Sequence, residues 1–254
     1  RLAHLAVVFA RQIRCCVLNA GEAEATWDPK PLTRVEGGRV GKLSTLKSNS
    51  EPQATQGLLF ESAHGSVLFA IGARSIVYFD DDVPSIWVTA PTREFLDLGF
   101  LINGPFALDV GRAQLAREYE QNKELATRLG ITIGEQLCQL FQAAGSQEGW
   151  NSLREELRLA GDASPYDFWD SLFSLLGTGF AGRVQQDTPA DNLVREVFWT
   201  DTDRGAARLY QSCQAVPSRI RGAYQQLVSI SQIRYAVSGL LSDDPKVFSA
   251  ISQW

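Results

Sequence analysis

Two short segments of the chain carry residue types that could bind a phosphate or a cation. Residues 37–43, GGRVGKL, are similar to a phosphate-binding loop, but the glycine spacing is one residue short and Leu43 replaces the required Ser or Thr. Residues 80–82 are three aspartates, yet the alternating ligands and the distal Glu of a calcium loop are absent. We therefore predict a flexible turn for the first segment and a solvated hairpin tip for the second.

Histidine, cysteine and aromatic residues form no recognisable catalytic or metal-binding pattern. The chain has two histidines, His4 and His64, and lacks G-x-S-x-G, and no G-x-G-x-x-G opens a helix after a predicted strand, so we expect no metal site, no hydrolase triad and no dinucleotide fold. Its four cysteines contain no C-x-x-C pair, which predicts reduced thiols and a cytoplasmic location: Cys15, Cys16, Cys138 and Cys213. Four aromatic residues could stack on bases, although core packing is the simpler interpretation: Trp87, Phe95, Phe100 and Phe106.

The composition is that of a chain with a packed core. Of the 254 residues, 44% are hydrophobic and 21% are charged, and the formal net charge is −5. Nucleic-acid binding is not expected, because it requires a basic excess, and no apolar run reaches the roughly 18 residues of a membrane-spanning helix. The sequence begins at Arg1 and contains no methionine. We expect a piece of a larger protein, unless methionines are missing from the sequence and some spacings are therefore one residue short.

The hydrophobic pattern predicts an α+β fold. Four apolar segments rich in Val, Ile, Phe, Tyr and Trp predict strands of one sheet: 66–71, 75–79, 85–90 and 99–102. Residues 2–18 predict a first helix, and 37–56 predict short strands and loop. Across 112–141 apolar residues recur about every four positions, as in an amphipathic helix.

Helix-start signals continue beyond this region. Residues 164–167 (SPYD) and 188–191 (TPAD) each combine a capping hydroxyl, a proline at the first helical position and a carboxylate that faces the helix dipole. We predict a mixed β-sheet with covering helices over residues 1–142, followed by a C-terminal helical array over 143–254.

The most specific pattern in the sequence lies between residues 100 and 123. It reads FLINGPFALDVGR over 100–112 and continues to QNK at 121–123. This pattern resembles the catalytic loop in the middle domain of the ninety-kilodalton heat-shock chaperones, where a strand leads to a Leu-Asn-Val-Ser-Arg-Glu loop and then to a helix bearing Gln-Asn-Lys. Together with PSIWVTAPT at 84–92, it is similar to sacsin-like proteins, which carry an ATP-binding domain of the same GHKL superfamily. The resemblance covers about residues 84–142, and more faintly 215–224.

The resemblance implies a role for one arginine. In this family the loop arginine reaches the nucleotide site of the neighbouring N-terminal domain and contacts the γ-phosphate of ATP, and Arg112 is the matching residue. Asp109 and Asn122 are the other nucleotide-contacting candidates that it implies. The planar, permanently charged guanidinium suits a phosphoryl group. The D-x-G-x-G turn and glycine-rich lid of the ATP-binding domain do not occur in this sequence, so we expect ATP and Mg²⁺ on the parent protein and not on this chain.

The loop departs from the family pattern at several positions. The family has Asn, Ser, Glu and Gln where this chain has, in that order, Asp109, Gly111, Ala113 and Ala116. Four additional residues precede the segment 121–123. The alternative interpretation is structural: Arg112 is then a residue of a helix N-terminus that pairs with Asp109 or Glu118.

Three functions are open from the sequence. In the first, the chain is a middle segment of a large chaperone-like ATPase, Arg112 contacts ATP on an N-terminal domain, and the chain alone is not an enzyme. In the second, it is a non-catalytic scaffold for protein partners, which the changes at Asp109 and Gly111 favour. In the third, it is part of a prokaryotic phage-defence ATPase, which clustered arginines would support: Arg183, Arg195, Arg204, Arg208, Arg219 and Arg221. The expected partners are the ATP-binding domain, protein clients and a second copy of the parent.

Overall fold

Ten strands and four helices make up the part of the chain that the computed structural model describes, which comprises residues 2–10, 13, 15–18, 23–43, 55–80, 82–96, 98–116 and 120–181. The helices are α1 (Leu2–Phe9), α2 (Glu120–Ala143), α3 (Gln147–Glu156) and α4 (Pro165–Ala181). The strands are β1 (Cys15–Leu18), β2 (Ala23–Thr26), β3 (Lys30–Pro31), β4 (Gly38–Leu43), β5 (Thr55–Ser62), β6 (Gly65–Ile71), β7 (Ile76–Val77), β8 (Ile86–Val88), β9 (Ala90–Pro91) and β10 (Leu101–Asn103).

Eight of these strands form one mostly antiparallel sheet. Its order is β3-β4-β5-β6-β10-β8-β9, with β7 paired to β6. Strands β10 and β8 are parallel, whereas the other pairs are antiparallel. Strands β1 and β2 pair with each other in a separate two-stranded sheet. The described residues therefore have the mixed α+β fold that the sequence predicts.

Both faces of the large sheet are covered, so its central strands β5 and β6 are apolar on both sides. Because alternate strand residues point to opposite faces, Leu58 and Phe60 enter a core that is closed by α2, α3 and α4. Leu59, Leu68 and Trp87 enter a smaller core that is closed by α1. The sheet thus lies between α2, α3 and α4 on one face and α1 on the other.

The larger core extends across the predicted domain boundary at 142/143. It contains side chains from Leu32 to Leu175, including buried residues of α3 and α4. The boundary itself, and the helical array beyond residue 181, stay predictions, since residues 182–254 lie outside the described part of the chain. No helix within the described ranges is long and apolar enough to cross a membrane.

The predicted start of α4 is confirmed by its cap. The Asp167 N–H donates to the Ser164 Oγ at 3.0 Å, which satisfies one of the N–H groups that a helix start leaves open. Helix α2 continues through Gly130 and Gly134 without a break, although glycine favours the helical state less than alanine. The second predicted start, at 188–191, lies outside the described residues.

The first helix is shorter than predicted. It ends at Phe9, and Cys15–Leu18 is a strand paired with Ala23–Thr26. Cys15 and Val17 are exposed while Cys16 between them is half-buried, which is the two-residue alternation of a strand. The prediction of a helix over 2–18 was wrong because a continuous apolar run does not by itself distinguish a helix from a strand.

The helix predicted over 112–141 begins later, at Glu120. Residues 112–116 belong to a loop, in which Leu115 is buried and pairs with Leu108. The apolar periodicity was misleading here because Leu115 continues the stripe of α2 in the sequence although it is not part of the helix.

Candidate functional site: an arginine loop

A hairpin-like loop, residues 107–116, lies between β10 and α2 in the chain, and we call it the arginine loop. Its two arms pair with each other: the Asp109 N–H donates to the Gln114 carbonyl at 2.8 Å, and the Ala116 N–H donates to the Ala107 carbonyl at 3.0 Å. These bonds give the loop a defined backbone. Arg112 lies in this loop and not in a helix, in contrast to the structural alternative.

Arg112 occupies the tip of the arginine loop. Its N–H donates to the Asp109 carbonyl at 2.9 Å, which closes a tight turn. Its φ of 52° is left-handed, a conformation that costs a non-glycine residue about 1–2 kcal/mol. The residue is exposed, and no described residue forms an ion pair or a side-chain hydrogen bond with its guanidinium. Backbone strain of this kind is frequent at functional sites, although Arg158 shares it with a φ of 56°, so the strain alone does not assign a function to Arg112.

The Asp109 carboxylate stabilises the turn that carries Arg112. Its Oδ1 accepts hydrogen bonds from the Ala113 N–H at 2.9 Å and from the Gln114 N–H at 3.1 Å. These two bonds hold the pKa of the Asp109 carboxyl below its usual value of 3.8. The carboxylate therefore faces the loop backbone, and the ion pair between Asp109 and Arg112 is not formed. Glu118, the other partner in the structural alternative, lies outside the described residues.

We predict that the Asp109 carboxyl titrates below pH 3.8. Its pKa is lowered in the folded state, so the stabilisation is complete above the pKa of the unfolded chain and is lost as the pH falls through the lower value of the folded chain. NMR titration of the carboxyl carbon, read together with the amide shifts of Ala113 and Gln114, measures the midpoint. In Asp109→Asn, which has no titrating group there, those amide shifts should lose this pH dependence. A midpoint at or above 3.8 contradicts the assigned hydrogen bonds.

A neighbouring segment fixes one arm of the arginine loop. The Arg93 N–H donates to the Ala113 carbonyl at 2.6 Å, and the Glu94 Oε1 accepts from the Leu115 N–H at 2.8 Å. Glu94 is itself fastened, because its carbonyl accepts from the Ser85 N–H at 2.7 Å. The sequence did not identify Glu94 as part of the site. Its hydrogen-bond partner is the backbone N–H of Leu115, and a backbone N–H cannot be recognised from the type of residue that carries it.

Asn122 in the first turn of α2 fastens both arms of the arginine loop. The residue is only 2% exposed. Its Oδ1 accepts from the Ala107 N–H at 2.7 Å, and its Nδ2 donates to the carbonyls of Ala107 and Ala116 at 3.0 and 3.3 Å. The structure therefore brings the three predicted residues together in one unit, in which Arg112 is exposed, Asp109 is half-buried and Asn122 is buried.

The other candidate segments have structural explanations where they are described. Gly38–Leu43 is strand β4, paired with β5, and Gly37 precedes it in a turn with a φ of 72°. Residues 37–43 therefore form neither a phosphate loop nor the flexible turn that the sequence predicted. The hairpin predicted at residues 80–82 was wrong, because β7 pairs with β6 whereas β8 pairs with β10 and β9. Asp81 itself lies outside the described residues. No group of three or more His, Cys, Asp and Glu side chains that could hold a metal occurs within the described ranges.

The candidate aromatic residues are mostly part of the two cores. Trp87, Phe100 and Phe106 are buried, which confirms core packing for these three, whereas Phe95 is 54% exposed. The arginines that would support a phage-defence role fall beyond residue 181, outside the described part of the chain: Arg183, Arg195, Arg204, Arg208, Arg219 and Arg221.

Comparison with known proteins assigns neither the fold nor the site. No protein-family model matches the chain, and no curated protein or solved structure matches it either. The resemblance of the arginine loop to the chaperone middle domain therefore stays a prediction.

Proposed function

We propose that the chain is a middle segment of a large, sacsin-like ATPase and that Arg112 contacts the γ-phosphate of ATP bound to a separate ATP-binding domain. One observation carries the proposal: an exposed guanidinium, without a partner among the described residues, lies at the tip of a loop whose two arms are both fastened. A fastened backbone reduces the entropy that is lost when the guanidinium binds a phosphate.

The chemistry of arginine suits this task. The guanidinium is always charged and presents its N–H donors in a planar fork. During phosphoryl transfer, negative charge is spread over the equatorial oxygens and is stabilised by such a fork. In this proposal Arg112 supplies the fork, whereas the ATP-binding domain holds ATP and Mg²⁺. The chain takes part in ATP hydrolysis only as a component of the parent protein.

The aspartate at position 109 is compatible with this role. A carboxylate directed at Arg112 would compete with the phosphate for the guanidinium. Here the Asp109 carboxylate accepts the N–H groups of Ala113 and Gln114 instead. The departure from the family pattern thus has a structural explanation that leaves Arg112 accessible.

The hydrogen bonds that hold the arginine loop support a second role for the chain, which is to transmit domain closure to the sheet and the helices. One arm is bonded to Arg93 and Glu94, which adjoin the sheet, and both arms are bonded to Asn122 of α2. Helix α2 packs with α3 and α4 in the larger core. A displacement of Arg112 on closure is therefore passed to the sheet and to the helices through hydrogen bonds and packed side chains. Protein clients and a second copy of the parent are the further partners that we propose.

A non-catalytic scaffold is the second candidate function, and the tip of the loop favours it in one respect. Val110 is fully exposed beside Arg112, and Phe95 is 54% exposed near the arm that Glu94 fastens. Exposed apolar and arginine side chains are typical of protein contact surfaces. A scaffold would use this tip to bind a protein partner whether or not nucleotide is present.

Titration of the chain against the ATP-binding domain of the parent protein separates the two candidates. The proposal predicts that association is at least about tenfold tighter with a non-hydrolysable ATP analogue than without it, because only the bound analogue presents a γ-phosphate to Arg112. Calorimetry with and without the analogue measures this difference. Equal affinity in both conditions contradicts the proposal, and nucleotide-independent binding to another protein supports the scaffold.

A further inference from the structure

We infer that Asn122 is the positioning residue of the arginine loop: its buried amide fastens both arms of the loop to α2 and thereby places Arg112. The consequence for ATP turnover rests on the proposed function, whereas the hydrogen bonding of Asn122 to the two arms does not. This role differs from the nucleotide contact that the resemblance implies for Asn122, because the side chain acts on Arg112 through the loop backbone.

The amide of Asn122 is matched to three backbone groups. Its oxygen accepts from the Ala107 N–H, and its nitrogen donates to the Ala107 and Ala116 carbonyls. Asparagine combines an acceptor and two donors on a short side chain, so it can join these groups from the first turn of a helix. An aspartate would place an oxygen against two carbonyls, and an alanine would leave the buried groups without partners, both of which are unfavourable.

The fastened arms determine where Arg112 points. The turn at the tip is left-handed at Arg112 and is maintained by pairing between the two arms below it. Ala107 and Ala116 form the base of that pairing, and both are bonded to Asn122. Without the amide, the base can open and the strained turn can relax. The backbone would still carry Arg112, but it would no longer hold it in one place.

The same helix offers a matched control. Gln136 is 5% exposed, and its Nε2 donates to the carbonyls of Glu36 and Glu61, both at 2.8 Å. It is therefore another buried amide of α2 that donates to backbone carbonyls, but these belong to β5 and to the turn before β4 and not to the arginine loop. Gln136→Ala removes similar hydrogen bonds from α2 and leaves the arginine loop attached.

Hydrogen exchange of the 254-residue chain tests the fastening. Asn122→Ala should accelerate amide exchange within residues 107–116 at least about tenfold, whereas Gln136→Ala should leave exchange there at the wild-type rate. If Asn122→Ala does not fold, Asn122→Asp, which keeps the acceptor for Ala107 and loses both donations, should give the same local acceleration. Unchanged exchange in the Asn122 variants, or an equal rise in Gln136→Ala, would overturn the inference.

ATP turnover of the parent protein tests the positioning role. Asn122→Ala should lower kcat about tenfold through misplacement of Arg112, and it should also weaken the preference of the chain for the ATP-binding domain with a bound ATP analogue. Gln136→Ala should leave both kcat and this preference unchanged. If Asn122→Ala loosens the loop but keeps full kcat while Arg112→Ala loses it, the positioning role is wrong. If Arg112→Ala keeps full kcat, the proposed function is wrong, and the exchange rates still decide whether Asn122 fastens the loop.

Discussion

Replacement of Arg112 by alanine in the parent protein should lower ATP turnover at least about tenfold and leave the fold intact. Arginines that stabilise a transferring phosphoryl group contribute about 10³–10⁵ in rate where they are fully engaged. The fold should persist because the side chain is exposed and has no hydrogen-bond or ion-pair partner among the described residues. Steady-state phosphate release measures the turnover, and circular dichroism of the isolated variant chain measures the fold.

Two variants make the Arg112 measurement specific. Arg112→Lys keeps the charge but loses the planar fork, so its turnover should lie between those of the wild type and Arg112→Ala. Arg158 is a second exposed arginine with a left-handed backbone, at φ 56° after α3, and Arg158→Ala should keep wild-type turnover. A turnover of Arg112→Ala within about twofold of the wild type would remove the catalytic role.

Replacement of Trp169 by alanine should lower the free energy of unfolding by about 3–5 kcal/mol. The indole ring is completely buried. It stacks on Phe141 with ring centroids 3.8 Å apart and contacts Phe168 edge-to-face at 4.8 Å. Phe141 belongs to α2 and Trp169 to α4, so this stack joins helices on either side of the predicted boundary at 142/143. Urea unfolding, followed by circular dichroism, measures the loss.

The control for Trp169 is its replacement by phenylalanine. Trp169→Phe keeps an aromatic ring against Phe141 and removes an indole N–H that is buried without a hydrogen-bond partner among the described atoms. We expect Trp169→Phe to lower the free energy of unfolding by less than half as much as Trp169→Ala, because much of the stacking is retained and no polar group is left without a hydrogen-bond partner. If Trp169→Ala lowers the free energy of unfolding by less than about 1 kcal/mol, α4 contributes little to the stability of the larger core.

The sequence predicted those elements whose signals are local. The strands at 66–71 and 85–90 are dense in β-branched and aromatic residues and are bounded by turn residues, and β6 and β8 were found there. The start of α4 was predicted because a capping serine, a proline and an aspartate have the spacing that is typical of a helix N-terminus. Strand β5 was missed since Thr55, Gln56 and Gly57 continue the polar composition of residues 44–54 in the sequence.

The candidate site could be predicted only in part. Arg112, Asp109 and Asn122 were identified through the resemblance of the surrounding pattern to a known loop. Glu94 and the bonding of Asn122 could not be predicted, because their partners are backbone N–H and carbonyl groups that occur at every residue. The direction of the Asp109 carboxylate likewise depends on a tertiary fold of the loop that residue spacing does not specify.

The nucleotide specificity of association tests the central claim most directly. The wild-type chain should bind the ATP-binding domain at least about tenfold more tightly with a non-hydrolysable ATP analogue than with ADP, since a charged arginine–phosphate contact is worth about 1.5–3 kcal/mol. Arg112→Ala should abolish this preference, and Arg158→Ala should preserve it. A wild-type chain that binds equally with both nucleotides, or a preference that persists in Arg112→Ala, would contradict the assignment of Arg112 to the γ-phosphate.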